Sequence, residues 1–348
     1  MAVTCRELDA AAAPAWDRFV QAHPQATFFH LAAWADVLRH AFGQTPRFLL
    51  AEQDGAICGV LPLVHMRSLL FGNTLVSTPF CVYGGPLVGD AEIAEALLRR
   101  AAELLASSRA TALELRLLDQ PESLLGGGWV GRDDLYVTFR RPIAASDDAN
   151  LKAIPRKQRA MVRKGIEAGL TDQADHDVDR LHGIYAESVR NLGTPVFPRR
   201  YFRLLRERFA DALDVVTVRD PGGAAIASVL NFYWRDTVLP YYGGGTAAAR
   251  AAHANDFMYW AVMRRAAARG CRLFDFGRSK IGTGAFAFKR NWGFEPMPLR
   301  LRYRLRPGHA IPDHNPLNPK YRLFIAGWKR LPLAVANRLG PFVVRGTG

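Results

Sequence analysis

Only four cysteines occur in the 348 residues, at positions 5, 58, 81 and 271, and no two form a CxxC pair. That scatter excludes a disulfide scaffold and the usual zinc knuckles. Cys58, Cys81 and Cys271 sit in apolar runs, where a reduced thiol behaves as a small core residue, so a reducing compartment is expected. The nine histidines give neither HxH nor HExxH, and no metal centre is expected. GxSxG and GxxxxGK[ST] are missing as well. Their absence removes the hydrolase elbow and the Walker loop. The first residues hold no basic stretch followed by a long apolar run, and no apolar run approaches the ~20 residues that span a bilayer. The expectation is a cytoplasmic protein with no metal and no tightly bound cofactor.

Acidic residues are scarce in the later part. Residues 1–150 hold 12 Lys and Arg against 17 Asp and Glu, a net of −5; residues 151–299 hold 24 against 14, +10; residues 300–348 hold 10 against 1, +9. Basicity beginning near residue 151 suits contact with an anionic partner: a phosphate-bearing substrate, RNA or a membrane surface. The plainer alternative is a set of solvated positive faces.

What the sequence does contain is a duplication. Gly55-Ala56-Ile57-Cys58-Gly59-Val60, Tyr83-Gly84-Gly85, a helix-like stretch and Leu113-Glu114-Leu115 follow in order. The order returns as Gly223–Val229, Tyr242-Gly243-Gly244, a helix-like stretch and Leu273-Phe274-Asp275-Phe276. A repeat of about 160 residues is too long for a solenoid unit and suits two copies of one α/β domain. Two such domains would form a cleft, a common place for a ligand. The division expected is 1–150, 151–305 and a basic tail, 306–348, with the polar Asp147-Asp148-Ala149-Asn150 as the first boundary.

Periodicity and punctuation predict helices over 14–43, 91–106, 156–168, 178–191, 198–209 and 254–269. Strands are expected over 47–51, 57–66, 111–117, 135–140, 215–218, 225–233, 238–242 and 272–276, with a hairpin at Asp54-Gly55. Strands flanking helices twice over indicate an α/β or α+β fold with mixed central sheets.

Chemistry is sparse. After the 272–276 strand stand Gly277, Arg278, Ser279, Lys280, Gly282, Thr283, Gly284, Lys289 and Arg290, a loop able to present N–H groups and cations to an anion. Asp275, inside an apolar strand, must be paired, with Arg278 the candidate, or belong to an active site. Tyr241 and Tyr242 are core aromatics or line the cleft.

Taken together, Phe28-Phe29-His30…Trp34, Ile154-Pro155-Arg156-Lys157-Gln158-Arg159…Arg163-Lys164-Gly165, Tyr242-Gly243-Gly244 and Asp275-Phe276-Gly277-Arg278-Ser279…Gly284…Phe288-Lys289…Trp292-Gly293 resemble the FemA/FemB/FemX-like proteins. The nearer likeness is to the FemAB-like proteins associated with exosortase and exopolysaccharide systems. The resemblance covers roughly residues 1–305. It implies two tandem acetyltransferase-like (GNAT) domains and transfer of an acyl or aminoacyl group to an amine of a cell-envelope, peptidoglycan or exopolysaccharide precursor. It further implies Asp275 and Lys289 in catalysis, Asp275 at the amine and Lys289 at the oxyanion. Tyr242, Arg278, Lys280, Arg190, Asn191 and Thr194 would bind substrate. At the place of the usual coenzyme A loop, [RQ]xxGx[GA], stands Thr246-Ala247-Ala248-Ala249-Arg250-Ala251-Ala252-His253-Ala254-Asn255. Aminoacyl-tRNA is therefore the expected donor and acetyl-CoA the alternative. A catalytically idle holder of an anionic glycan, lipid carrier or RNA is the second reading.

In the tail, Lys320, Arg322, Lys329, Arg330 and Arg338 interleave with Tyr321, Leu323, Phe324, Ile325, Trp328, Leu331, Leu333 and Leu339, and Pro332 splits the segment. Residues 320–339 suit peripheral contact with an anionic membrane, which would place the protein at the inner face of the cytoplasmic membrane. The alternative is a strap over the protein's own core.

Overall fold

The computed structural model describes residues 3–68, 72–312 and 319–346; the side chains of residues 319–322, including Lys320, Tyr321 and Arg322 of the tail, lie outside the described residues. The chain divides into two units, neither contiguous. Met1–Asp134, Leu299–Asn315 and Arg345–Gly348 make the first, and Leu135–Pro298 with Pro316–Val344 the second.

The first unit runs β1 (Thr4–Glu7), α1 (Ala13–Ala22), a 3-10 turn (Phe28–His30), α2 (Ala33–Phe42), β2 (Thr45–Pro46), β3 (Leu49–Gln53), β4 (Ala56–Leu61), β5 (Val64–Ser68), β6 (Gly72–Ser77), β7 (Leu87–Val88), α3 (Ala91–Ser107), β8 (Ala112–Leu117) and β9 (Val130–Arg132). One sheet has the order β1-β3-β4-β7; the other is β2-β5-β6-β8, then the strand Arg300–Leu305, then β9. The β3–β4 hairpin turns at Asp54 and Gly55, both with positive φ, as the sequence predicts. Asp90 caps α3 through the N–H of Ile93. Leu97, Ala101 and Leu104 of α3 then join Leu61, Leu75, Leu113 and Leu115 in one core.

The helix expected over 14–43 is two helices. His23, before Pro24, is extended, because a residue preceding proline is pushed out of the helical region. The chain between them is tied by indoles: Trp16 donates to the carbonyl of His30 at 2.7 Å and Trp34 to that of Phe28 at 3.0 Å. The Phe-Phe-His…Trp motif is thus a structural knot, and all four side chains are fully buried.

The second unit comprises β10 (Tyr136–Pro142), α4 (Asp147–Ala153), α5 (Arg156–Glu167), β11 (Thr171–Asp175), α6 (Val178–Leu192), α7 (Arg199–Phe209), β12 (Leu213–Arg219), β13 (Ala225–Trp234), β14 (Thr237–Gly245), α8 (Ala247–Ala251), α9 (Ala254–Ala268), β15 (Leu273–Lys280), α10 (Gly284–Asn291), β16 (Pro296–Pro298), α11 (Pro319–Arg330) and α12 (Leu333–Val344). Its seven-stranded sheet has the order β11-β12-β13-β14-β15-β10-β16. Strand alternation sorts the side chains. Val216 and Val229 join the core with Phe257, Met258, Ala261 and Val262 of α9. Tyr242, paired with Leu230, meets the rings of Tyr185 on α6 and Tyr201 and Phe202 on α7.

The division expected at residue 150 falls instead between Asp134 and Leu135. Asp147-Asp148-Ala149-Asn150 is the first turn of α4, capped by Ser146 through the N–H of Ala149; acidic residues favour a helix start. β10, read as the end of the first domain, pairs with β15 and β16.

In the tail, the strap reading describes what is observed. Trp328, Ala336, Gly340 and Val344 are buried, and both helices lie against α6. A Cβ on Gly340 would stand 2.9 Å from the backbone of Val196, and one on Gly193 2.6 Å from Ile325. Neither position has room for a side chain.

Two neutral histidines make the fold acid-sensitive. His30 is fully buried, with Nδ1 accepting the N–H of Thr27. His182 lies beside Phe202, its Nε2 donating to the carbonyl of Phe197 at 3.1 Å. Burial pushes each pKa down to about 4. The unfolded chain therefore takes up protons first, and stability present above about pH 6.5 is lost toward pH 4, by about 3 kcal/mol for each histidine. Urea midpoints at about pH 7 and about pH 4.5 measure the loss. A His182→Gln variant should flatten part of the slope; an unchanged slope would mean that His182 is charged in the fold.

Candidate functional site

β14 and β15 run parallel but pair only at Thr237↔Leu273 and Val238↔Phe274. Beyond these, β14 continues to Gly245 and β15 to Lys280 without pairing to each other among the described residues. β15 is held on its other side by β10, from Tyr136↔Lys280 to Pro142↔Leu273. Parallel strands that part leave the crevice at their carboxyl ends in which α/β sheets bind ligands. β14 carries a bulge here: its pairing passes from Leu230↔Tyr242 to Asn231↔Pro240, with Tyr241 as the extra residue.

At the end of β14 lies a cavity of about 410 Å3 lined by Ser188 and Asn191 of α6 and by Gly245, Thr246, Arg250 and Asn255. The glycines before it are required by packing. A Cβ on Gly244 would stand 2.5 Å from Ser188, and one on Gly245 2.6 Å from Ala249 and 2.9 Å from Oδ1 of Asn255. That Oδ1 is buried and has no hydrogen-bond partner. α9 begins at this point after His253, a left-handed residue, with no side-chain cap. An uncapped helix start beside an arginine favours an anion.

Across the gap, Tyr259 of α9 links the two strands. Its ring meets Phe276 of β15 with centroids 4.9 Å apart, and its hydroxyl lies 3.3 Å from where a Cβ on Gly243 of β14 would be. Burial raises its pKa to about 12, so the hydroxyl keeps its proton and has it to offer to an acceptor.

The expected catalytic pair, Asp275 and Lys289, flanks a second bulge. β15 also bulges, at Phe276, where the pairing steps from Phe139↔Gly277 to Arg140↔Asp275, and Gly277 has φ +62. Asp275, 2% exposed, accepts the N–H of Gly277 at 2.7 Å. Its other oxygen lies 3.5 Å from Arg140, not Arg278. Lys289 Nζ donates to the carbonyls of Phe276, Gly277 and Arg278 at 2.6, 3.2 and 3.1 Å. Three donors meet three acceptors, so Lys289 has no N–H left for an oxyanion. Burial lowers its pKa to about 7, against the charge of Asp275 and with that of Arg278. Asp275 and Lys289 are the two jaws of a clamp on the bulge, with their polar atoms directed at its backbone groups.

The other expected residues separate. Arg278 and Lys280 both face the ring of Tyr136, at 4.7 and 5.8 Å. They lie in the last rungs of β15 and not in a loop; the loop expected from Gly277 onward is strand to Lys280, followed by α10 with Thr283 as its cap. Asn191 lines the cavity. Tyr242 does not: it is a core aromatic, its hydroxyl bonded to that of Tyr201 at 2.8 Å. Arg190 turns to the carbonyl of Lys329 in α11, and Thr194 is exposed in the following loop. Sequence reasoning passed over Tyr259, Tyr136 and Ser188 as site residues. An aromatic in a helix that is apolar nearly all round carries no signal of its own.

Residues 150–290 match the acetyltransferase (GNAT) domain family. A structure of FemX resembles the chain with a TM-score of 0.69 at 16% identity, over 87% of this chain and 97% of that one. L-PGS from Bacillus licheniformis does so at 0.56 and 12%, over 97% and 98%. A tandem GNAT protein of the clavulanic acid biosynthesis pathway does so at 0.55 and 14%, over 89% and 100%. No curated protein matches the sequence. At these identities the likeness is one of fold, and the fold is the tandem GNAT arrangement that the family resemblance implies and that agrees with the duplication.

Proposed function

Starting from a FemAB-like tandem GNAT chain whose second half is an acyltransferase domain, we propose that the protein transfers an acyl or aminoacyl group to an amine of a cell-envelope or exopolysaccharide precursor. The observation that supports this most directly is the parting of β14 and β15 beside the Arg250 cavity. In such a reaction a C–N bond forms as the amine attacks the acyl carbon, and the bond from that carbon to the donor's oxygen or sulfur breaks. The amine loses a proton and the leaving group gains one. Tyr259 is placed to supply a hydrogen bond or proton to the leaving atom, and the phosphate portion of the donor would meet Arg250 and the start of α9.

Aminoacyl-tRNA is the proposed donor. Arg156, Lys157, Arg163 and Lys164 stand exposed on α5, with no acid before Glu167 in that helix, and a row of cations suits a polyphosphate backbone. Acetyl-CoA remains the second reading, because a small anion site at a helix start would serve it equally. Purified protein incubated with radiolabelled aminoacyl-tRNA, uncharged tRNA and acetyl-CoA separates them by filter retention and thermal shift at one fixed salt concentration. Preferential retention of charged tRNA carries the first donor, and a shift with acetyl-CoA alone carries the second. Silence from both overturns the transferase reading in favour of an idle holder of an anionic glycan, lipid carrier or RNA.

The acceptor side is proposed to lie at the inner face of the membrane. No described helix is long and apolar enough to cross a bilayer. The tail helices, though strapped to α6, leave Leu323 85% and Phe342 77% exposed, with Phe324 and Leu339 partly so; Lys329, Arg330 and Arg338 are exposed beside them. Apolar side chains among cations suit an anionic lipid surface. The chain should sediment with phosphatidylglycerol vesicles and not with phosphatidylcholine vesicles. Leu323→Glu with Phe342→Glu should weaken that binding by about tenfold or more; equal sedimentation of both proteins would remove the membrane from the reading.

A further inference from the structure

The first unit contains a cavity of about 570 Å3 lined by Arg47, His65, Arg67, Asn73, Ser108 and Arg109 among others. Its origin is a change of residue type along one sheet face. His65 pairs with Leu75 across the β5–β6 hairpin, and Arg67 pairs with Asn73 two residues on, so all four share a face. Leu75 belongs to the core under α3 together with Leu104. The helix ends at Ser107, and beyond it the same face continues as histidine, arginine and asparagine. The end of α3 does not oppose an anion there. Arg306 donates to the carbonyls of Ala106 and Ser108 at 2.6 and 2.9 Å, neutralising the negative end of the helix.

The polar groups lining the cavity are under-used. His65 is 6% exposed, and its Nε2 is buried with no hydrogen-bond partner. Arg67 and Arg109 are exposed, and among the described residues neither guanidinium has a carboxylate partner. Arg47 is paired once, with Glu7 at 2.8 Å. A buried imidazole without a partner carries a desolvation cost that a ligand would offset. Guanidinium groups match phosphate oxygens in pairs. The volume exceeds a bare phosphate and lies in the range of small-molecule sites, and Leu75 and Leu104 give it an apolar wall.

We propose that this cavity is a binding site for a small molecule that carries one or two phosphate groups, held by Arg67 and Arg109 over His65. The site is separate in sequence and structure from the Arg250 cavity: it lies at the amino ends of β6 and β8, whereas the Arg250 cavity lies at the carboxyl end of β14. It does not depend on the transferase reading.

Isothermal titration of the full chain with inorganic phosphate, pyrophosphate, adenosine 5′-monophosphate and glycerol 3-phosphate tests the proposal at fixed ionic strength. At least one of the four should bind. Its affinity should fall about tenfold or more in Arg67→Gln with Arg109→Gln, exposed positions whose change leaves the fold intact, and stay unchanged in Arg250→Gln. Preference for the nucleotide or for glycerol 3-phosphate would assign the phosphate to a nucleotide or to a lipid headgroup. Absence of binding by all four at millimolar concentration overturns the proposal. So does binding that survives the double substitution or disappears with Arg250.

Discussion

Lys289→Met should destabilise the second unit by about 3–5 kcal/mol, because three carbonyls lose their donor at once and each buried acceptor left unmade costs about 1–3 kcal/mol. Methionine fills the volume and supplies no N–H, so the loss isolates the hydrogen bonds to Phe276, Gly277 and Arg278. Urea unfolding measures it, with Lys157→Met, at an exposed position on α5, expected within about 0.5 kcal/mol of the unsubstituted protein. Activity should vanish with the fold. Asp275→Asn gives the complementary result. The amide oxygen can still accept the N–H of Gly277, so transfer should persist, whereas loss of a general base would cost about 10²–10⁴-fold. A Lys289→Met protein with an undisturbed midpoint and no activity would support the catalytic role that the family resemblance implies.

Tyr259→Phe should do the reverse, leaving stability nearly unchanged and lowering kcat about a hundredfold with little change in KM. The ring contacts to Phe276, Phe288 and Trp292 survive in phenylalanine; only the hydroxyl beside Gly243 goes. Among the described residues that hydroxyl has no hydrogen-bond partner, so its removal leaves no acceptor stranded. Its pKa of about 12 also means that the rate should not acquire a new inflection near neutrality when it is removed. Pre-steady-state transfer of a labelled aminoacyl or acetyl group reads the chemical step. Full rate in Tyr259→Phe would leave backbone groups at the parted strands as the remaining donors.

The contrast between these two residues shows what a sequence can carry. α3, α5 and α9 were legible to within a residue or two, since α3 and α5 combine apolar periodicity with a clear end, Asp90 as cap and Gly169 as stop, and α9 is an unbroken helix-forming run closed by Gly270. The Asp54-Gly55 hairpin was legible for the same reason. The chemical roles were less so. Asp275 and Lys289 were found by their residue type in an apolar setting, which signals constraint but does not name the partner. Their partners are backbone atoms at a bulge, and nothing in residue identity announces a bulge. Glycines and cations after Asp275 resemble an anion loop in composition; the antiparallel pairing with β10 makes them strand. Asn191 lines a cavity, while Arg190 beside it is held by a helix more than a hundred residues later. Tyr259 and the His65 cavity were invisible because each depends on where a neighbouring element stops.

The strand Arg300–Leu305 lies between β8 and β9 in the first unit's larger sheet. On a ribosome, the first unit therefore emerges without one of its inner strands and keeps two unsatisfied ladders until residues 300–305 have left the exit tunnel. The usual order, in which the leading domain folds while the trailing one is still being made, is closed to this chain. Until that strand arrives, β8 and β9 are adhesive edges, so the yield of native protein should depend on what shelters them during synthesis.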